Sequence, residues 1–131
     1  MYEKFSSQHF VEFLKAFAAK QSPYWFGTTV VKCTEDVLKR KTAQYPSHYT
    51  SSRMAKYKTA IANKKVSADC IGLVKGYAWA DGGTGVIEAI GTDATFASKY
   101  ASNGCPDTTA DGMFNYAKNQ GMEWGTISTM P

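Results

Sequence analysis

The sequence predicts an α+β fold in which helices dominate. The chain has 131 residues, of which 44% are apolar and 20% charged, as is usual for a globular domain. Apolar residues at helical spacing follow capping residues along most of its length. Strand-like sequence is prominent only at residues 125–129. No repeat, low-complexity stretch or linker divides the chain, so we predict one domain, residues 1–131.

Three helices are predicted in the first half of the chain. The first is capped by Ser6 or Ser7, ends before Pro23, and has an apolar face made of Phe10, Val11, Leu14, Phe17 and Ala18. The second begins after Thr34, with acidic residues in its first turn and basic residues in its last. The third covers residues 51–63, with Met54, Tyr57 and Ile61 on one face and Arg53, Lys56 and Lys64 largely away from it.

Three further helices are predicted in the second half. The fourth covers residues 69–79 and ends before the glycine-rich residues 81–85. The fifth is capped by Asp93 and reaches Tyr100. The sixth is capped by Asp107 or Thr108 and ends at Gly121.

Charge is distributed unevenly along the chain. The net charge of +4 divides into 12 basic and 4 acidic residues in residues 1–65, and 3 basic and 7 acidic residues in residues 66–131. Residues 32–65 alone carry 9 basic and 2 acidic side chains. Such a surface either attracts a polyanion, such as nucleic acid or a bacterial cell wall, or is only a solvated helix face. Because no helix-turn-helix, RNA-recognition or zinc signature accompanies it, we expect no nucleic-acid partner.

The chain lacks an apolar run of the roughly 20 residues that a membrane span requires, so we predict no span. Its polar start does not resemble a secretory signal. The three cysteines, Cys33, Cys70 and Cys105, form no C-x-x-C pair and have no histidine close in sequence, which argues against a zinc site. We therefore expect no metal or cofactor.

Cys70 has a different sequence setting from the other two cysteines. Cys33 and Cys105 fit buried small hydrophobic positions. Cys70 follows Asp69 and begins an apolar helix, where the helix dipole favours a thiolate, so it is either a nucleophile or a buried structural thiol. Gly72 and Gly76 lower the helix propensity, which indicates that another segment packs closely against the backbone of this helix.

Two short motifs resemble those of the NlpC/P60 family of papain-like cysteine peptidases. Residues 69–74, Asp-Cys-Ile-Gly-Leu-Val, resemble the family's Asp-Cys-Ser-Gly-Leu-Val box. Residues 22–28, Ser-Pro-Tyr-Trp-Phe-Gly-Thr, resemble the Pro-Tyr-x-Trp-Gly-Gly segment that precedes it, and the lysine-rich helical insertion between the motifs is similar to that of phage endolysins. Only these motifs are specific, although the overall layout agrees over roughly residues 8–131. Ile71 and Thr28 depart from the family's serine and second glycine.

The resemblance implies a papain-like α+β domain, of which this chain supplies the helical N-terminal part and lacks most of the β-barrel. Cys70 is then the nucleophile that forms an acyl-enzyme. Tyr24 matches the tyrosine that helps to hold the oxyanion, and Asp69 matches the acid that precedes the nucleophile and organises the helix start.

The histidine that such an enzyme needs as its base is not found after Cys70, because the chain's two histidines are His9 and His48. Three explanations are consistent with this absence. The chain is the N-terminal piece of a longer domain, with the remainder as a possible partner. Alternatively, His48 or, less readily, His9 folds back onto Cys70. Lastly, the protein is a non-catalytic descendant of the family.

The function implied by the resemblance is peptidoglycan hydrolysis at an amide bond of the stem peptide. The alternative is a non-catalytic module that binds the cell wall or another polyanion. In either case the basic residues 32–65 face the anionic wall polymer. Trp25, Tyr77 and Trp79, and also His48, are candidate binding residues, although aromatic residues are more often core positions. The resemblance to lysins implies synthesis in the cytoplasm and action on the wall after release.

Overall fold

A computed structural model describes residues 6–121, and the expected strand at residues 125–129 lies outside them. Within that range the fold is α+β, with helices predominating. A 3₁₀ turn at Ser51–Arg53 leads directly into the third helix. The elements are α1 (Ser7–Ala19), β1 (Thr29–Lys32), α2 (Glu35–Gln44), α3 (Met54–Ala62), β2 (Val66–Ala68), α4 (Cys70–Trp79), α5 (Val86–Ala89) and α6 (Ala110–Asn119).

Side-chain caps define the beginnings of four helices. Ser6, Thr34 and Asp69 each accept a hydrogen bond from a backbone amide three residues further along. Of the two caps predicted for α1, Ser6 is the one used, and α2 begins after Thr34 as predicted. The cap of α6 is Thr109, whereas Asp107 and Thr108 were the predicted caps. Asp107 is not the cap because its carboxylate accepts hydrogen bonds from Lys75 and Tyr100 instead.

The buried face of α1 is rotated from the predicted one. Phe13 and Phe17 are buried, with Phe10 and Leu14 packed beside them. Val11, which was predicted on this face, is 45% exposed, and Ala18 is exposed as well. The three phenylalanines bury more apolar surface than valine and alanine, so they determine which side of the helix faces the core.

The prediction of a helix from Asp93 to Tyr100 is wrong, since residues 94–99 have no regular structure. The Asp93 carboxylate instead pairs with the ammonium group of Lys64 at 2.6 Å. The chain forms the one-turn helix α5 earlier than predicted, immediately after the glycine-rich turn.

A two-stranded antiparallel sheet was not predicted. β1 pairs with β2, with Thr29 opposite Ala68 and Lys32 opposite Val66, and a bulge falls between Thr29 and Val31. The bulged residue Val30 has φ +60°, a costly conformation for a β-branched residue. Its side chain is buried in the core, where packing offsets that cost.

The sheet contributes to two hydrophobic clusters. Val30, Val66 and Ala68 join residues of α1, α4 and α5 in the first cluster. Val31 packs against the second, which contains Trp25, Cys33 and residues of α2 and α3. The sheet therefore connects helix α4, which begins at Cys70, to the basic helices α2 and α3.

Close packing of α4 on β1 confirms the prediction made from its two glycines. A Cβ atom on Gly72 would collide with the carbonyl oxygen of Thr28. A Cβ atom on Gly76 would lie 2.6 Å from the carbonyl oxygen of Thr29 and would collide with the Val30 side chain. Glycine thus allows the backbones of α4 and β1 to approach each other.

Candidate functional site

Asp69 joins the two sequence motifs. One carboxylate oxygen, Oδ1, accepts a hydrogen bond from the amide of Gly72 at 2.7 Å and caps α4. The other, Oδ2, accepts one from the amide of Gly27 at 3.0 Å. The backbone amide of Asp69 also donates to the carbonyl oxygen of Thr28 at 3.0 Å. These three bonds fix the segment that contains Tyr24 beside the start of the helix.

Cys70 is the first residue of α4 and its side chain is exposed, whereas Cys33 and Cys105 are buried free thiols. The burial of Cys33 raises the pKa of its thiol to about 11, and burial also raises the pKa of Cys105. The prediction that Cys33 and Cys105 are buried is confirmed. Cys70 is therefore the one thiol of the three that a large substrate can reach.

Tyr24 stands beside Cys70 and Asp69. Its side chain is 61% exposed, and its backbone forms a β-bridge with Ala68, next to Asp69. Partial desolvation raises the pKa of the Tyr24 phenol, and electrostatic interactions with Asp69 and with Cys70 raise it further. The phenol therefore stays protonated at neutral pH and can donate a hydrogen bond.

An open cleft of about 870 Å³ surrounds these three residues. It will be called the Cys70 cleft. Its walls come from the segment around Tyr24, the last turns of α2, the start of α4 and residues 100–110. Arg40, Lys41 and Lys75 supply positive charge, and Asp69 and Asp107 supply negative charge. Such a cleft suits an extended polar ligand better than a small apolar one.

The Cys70 cleft contains a charged cluster that the sequence analysis missed. Lys75, only 8% exposed, donates to Asp107 Oδ1 at 2.9 Å, and the hydroxyl of Tyr100 donates to Asp107 Oδ2 at 2.7 Å. Both hydrogen bonds lower the pKa of Asp107, and the one from Lys75 has the larger effect. The sequence contains one sign of this cluster, which is the single lysine within the apolar sequence of α4. A buried ammonium group requires a counter-charge or hydrogen-bond acceptors, so this lysine predicts a nearby partner.

Neither histidine lines the Cys70 cleft. His9 lies on α1, and its Nδ1 is 2.7 Å from the hydroxyl of Tyr77 in the first hydrophobic cluster. The ring of His48 stacks on Phe26, with the two ring planes 3° apart and the centroids separated by 3.8 Å. Among residues 6–121, therefore, no imidazole lies in the cleft with Cys70.

Of the three aromatic residues predicted as binding residues, one lines the Cys70 cleft and two do not. Trp79 lines the Cys70 cleft, and its indole nitrogen donates to the carbonyl oxygen of Cys105 at 2.8 Å. Trp25 is 1% exposed and packs edge-on against Tyr57 in the second cluster. Tyr77 is buried against α1. Neither Trp25 nor Tyr77 lines the cleft that contains Cys70.

A second cavity of about 320 Å³ shares Tyr24 and Phe26 with the Cys70 cleft. It will be called the Arg53 pocket. The pocket is lined by Pro23, Tyr24, Trp25, Phe26, His48, Arg53, Lys56 and Tyr57. Of the predicted binding residues, His48 and Trp25 therefore contribute to this pocket.

Most cations of the basic residues 32–65 already have partners within the described structure. Arg40 pairs with Asp36, Lys58 with Glu35 and Lys64 with Asp93. The ammonium group of Lys32 binds three backbone carbonyl oxygens, and that of Lys65 binds one. Within residues 6–121, Lys39 and Lys56 have neither a hydrogen bond nor an ion pair from their side chains.

No group of three or more His, Cys, Asp or Glu side chains in the described part of the chain is arranged to hold a metal ion. None of the helices described is long and apolar enough to cross a membrane.

Comparison with protein-family models, with curated proteins and with solved structures gives no significant match.

Proposed function

We propose that this chain carries the nucleophile of a cysteine peptidase of the NlpC/P60 type that hydrolyses an amide bond in the stem peptide of peptidoglycan. The observation that carries the proposal is the convergence of Asp69, Cys70 and Tyr24. Their two motifs are far apart in sequence, and the hydrogen bonds of Asp69 join them at one edge of an open cleft.

Each of the three residues has a role in this reaction. The thiolate of Cys70 attacks the amide carbonyl carbon, and the Sγ–C bond forms as the carbonyl oxygen gains negative charge. The phenol of Tyr24 donates a hydrogen bond to that oxygen. The C–N bond then breaks, and the amine leaves with the proton that the thiol gave up. Water next hydrolyses the thioester to a carboxylic acid, and a proton of that water restores the thiol. Asp69 holds the segment of Tyr24 beside the start of the helix that carries Cys70.

A non-catalytic wall-binding module is the second candidate, and the placement of the two histidines favours it. This class of peptidase takes the proton of its cysteine with an imidazole, but His9 faces Tyr77 and His48 stacks on Phe26. The same cleft could then hold a peptide without cleaving it.

Hydrolysis of purified peptidoglycan separates the two candidates. Release of new amino groups should be abolished by Cys70→Ala and reduced about a hundredfold by Tyr24→Phe, since each removes a group needed in the transition state. Cys33→Ala is the matched control, because Cys33 is buried outside the cleft, and it should retain activity.

Sedimentation with the insoluble wall provides the second readout. A peptidase should keep its wall binding in the Cys70→Ala variant while losing hydrolysis. Wall binding without any release of amino groups by the unmodified chain would favour the non-catalytic module.

A further inference from the structure

The Arg53 pocket is a second polar site next to the Cys70 cleft. Arg53 and Lys56 both line it, and no acidic residue does. Neither cation forms an ion pair within residues 6–121, unlike three others of the same basic segment. The pocket therefore concentrates positive charge that the rest of the fold does not neutralise.

The groups around this pocket are held in place before any ligand arrives. The guanidinium group of Arg53 donates to the carbonyl oxygen of His48 at 3.0 Å, and the hydroxyl of Tyr57 donates to the same oxygen at 2.9 Å. The His48 ring is fixed by its stacking on Phe26. Only one guanidinium nitrogen is used, so the other N–H groups of Arg53 remain available to a ligand. Such preorganisation lowers the entropic cost of binding.

We propose that the Arg53 pocket binds a phosphate group of a polyol-phosphate polymer of the bacterial wall. A tetrahedral phosphate presents oxygens in several directions and can meet Arg53 and Lys56 together, whereas a planar carboxylate is satisfied by the guanidinium group alone. The volume of about 320 Å³ leaves room for the attached polyol against Tyr24 and Phe26.

A nucleic acid fits the pocket less well than this polymer does. Proteins that hold nucleic acid use a groove of cations that follows successive phosphates. Here Arg40, Lys58 and Lys64 are committed to ion pairs, which leaves a local site instead of a continuous stripe. Because Tyr24 and Phe26 line both cavities, a polyol-phosphate chain seated at Arg53 would bring the stem peptide of the peptidoglycan that carries it towards Cys70. The identity of the polymer rests on the proposed function, but phosphate binding does not.

The test is a titration of the full chain with sn-glycerol 3-phosphate, followed by amide chemical shifts and by calorimetry. We expect saturable binding with shifts at Tyr24, His48, Arg53 and Lys56. Lys56→Gln should weaken binding about five- to tenfold, because one charge-assisted hydrogen bond is lost. Lys39→Gln is the matched control, since Lys39 is equally free of partners but lies outside the pocket, and it should change affinity less than about twofold.

Equal weakening by Lys39→Gln and Lys56→Gln would overturn the proposal, because it would indicate only a diffuse positive field. Acetate binding as tightly as sn-glycerol 3-phosphate, or a short oligonucleotide binding more tightly than a glycerol-phosphate oligomer of equal charge, would also overturn it. Cys70→Ala should leave the affinity unchanged. Phosphate binding without hydrolysis that depends on Cys70 would therefore contradict the proposed peptidase activity and support the phosphate site. Hydrolysis without phosphate binding would support the peptidase activity and contradict the phosphate site.

Discussion

The carboxylate of Asp69 accepts a hydrogen bond from the amide of Gly27 at 3.0 Å, across 42 positions of sequence. Its other oxygen caps α4 at the amide of Gly72. A single side chain thus holds together the segment that carries Tyr24 and the helix that carries Cys70. The position of Tyr24 relative to Cys70 therefore depends on this link.

Asp69→Ala should lower the free energy of unfolding by about 2 kcal/mol, because two backbone amides lose their acceptor. Thr109→Ala is the comparison variant, since Thr109 caps α6 through one such bond, and it should cost about 1 kcal/mol. Urea unfolding monitored by circular dichroism measures both values. Equal losses in the two variants would mean that the bond to Gly27 contributes nothing.

Gly76→Ala should destabilise the protein by about 1–2 kcal/mol although alanine is the better helix former. The added methyl group would meet Val30 and the carbonyl oxygen of Thr29, and this overpacking exceeds the gain in helix propensity. Gly112→Ala is the control, because the severe clash there is with the hydroxyl of the Thr108 side chain, which can rotate while Thr109 keeps its capping bond. We expect the control to be neutral or stabilising in urea unfolding, and stabilisation of the Gly76 variant would contradict the packing of α4 on β1.

Iodoacetamide should modify Cys70 in the native protein well before the other two cysteines. Thiolates are the reactive form, and burial raises the pKa of Cys33 to about 11, so at pH 8 only about one Cys33 in a thousand is ionised. Peptide mapping by mass spectrometry follows the three sites separately. In urea all three cysteines should react at similar rates, and a slow Cys70 in the native protein would show that its side chain is not accessible.

Asp107→Asn should destabilise the protein at neutral pH by about 1–2 kcal/mol, because it leaves the ammonium group of Lys75 in a mostly buried position without its counter-charge. Asp36→Asn is the control: the pair of Asp36 with Arg40 is exposed on both sides and should contribute less than about 0.5 kcal/mol. Denaturant unfolding at pH 7 compares the two variants.

The pH dependence of the same experiment has a defined sign. Lys75 and Tyr100 hold the pKa of Asp107 below its ordinary value, so the stability from this carboxylate is fully present above the unfolded pKa of about 4. That stability is lost as the pH falls through the lower pKa of the folded state. The difference between the unmodified chain and Asp107→Asn should therefore shrink below about pH 4. A difference that stays constant down to pH 2 would contradict the ion pair.

Local signals in the sequence were sufficient for the helices that Ser6, Thr34 and Asp69 cap, because the polar residue at the helix start and the apolar spacing agree there. They failed at Asp93, whose carboxylate has a partner far away in sequence, Lys64. They also failed for the sheet, since its strands are only four and three residues long and Val30 breaks the regular alternation. Pairing between distant segments leaves little trace in local periodicity.

Sequence reasoning reached the candidate site through its two motifs, and the structure places Cys70, Asp69, Tyr24 and Trp79 on one cleft. The cluster of Lys75, Asp107 and Tyr100 was missed because its members come from two segments that only the tertiary fold brings together. The Arg53 pocket was missed for the same reason. Charge counting detected the basic segment but could not show which of its cations are neutralised.

The most direct test of the central claim is mass spectrometry of the chain after brief incubation with stem-peptide fragments of peptidoglycan. If Cys70 is the nucleophile, the peptide that contains it should carry the acyl fragment as a thioester, and the adduct should be absent in Cys70→Ala and present in Cys33→Ala. Cleavage of the fragments that continues in Cys70→Ala would contradict the account, as would fragments that bind the chain but are neither cleaved nor attached to Cys70.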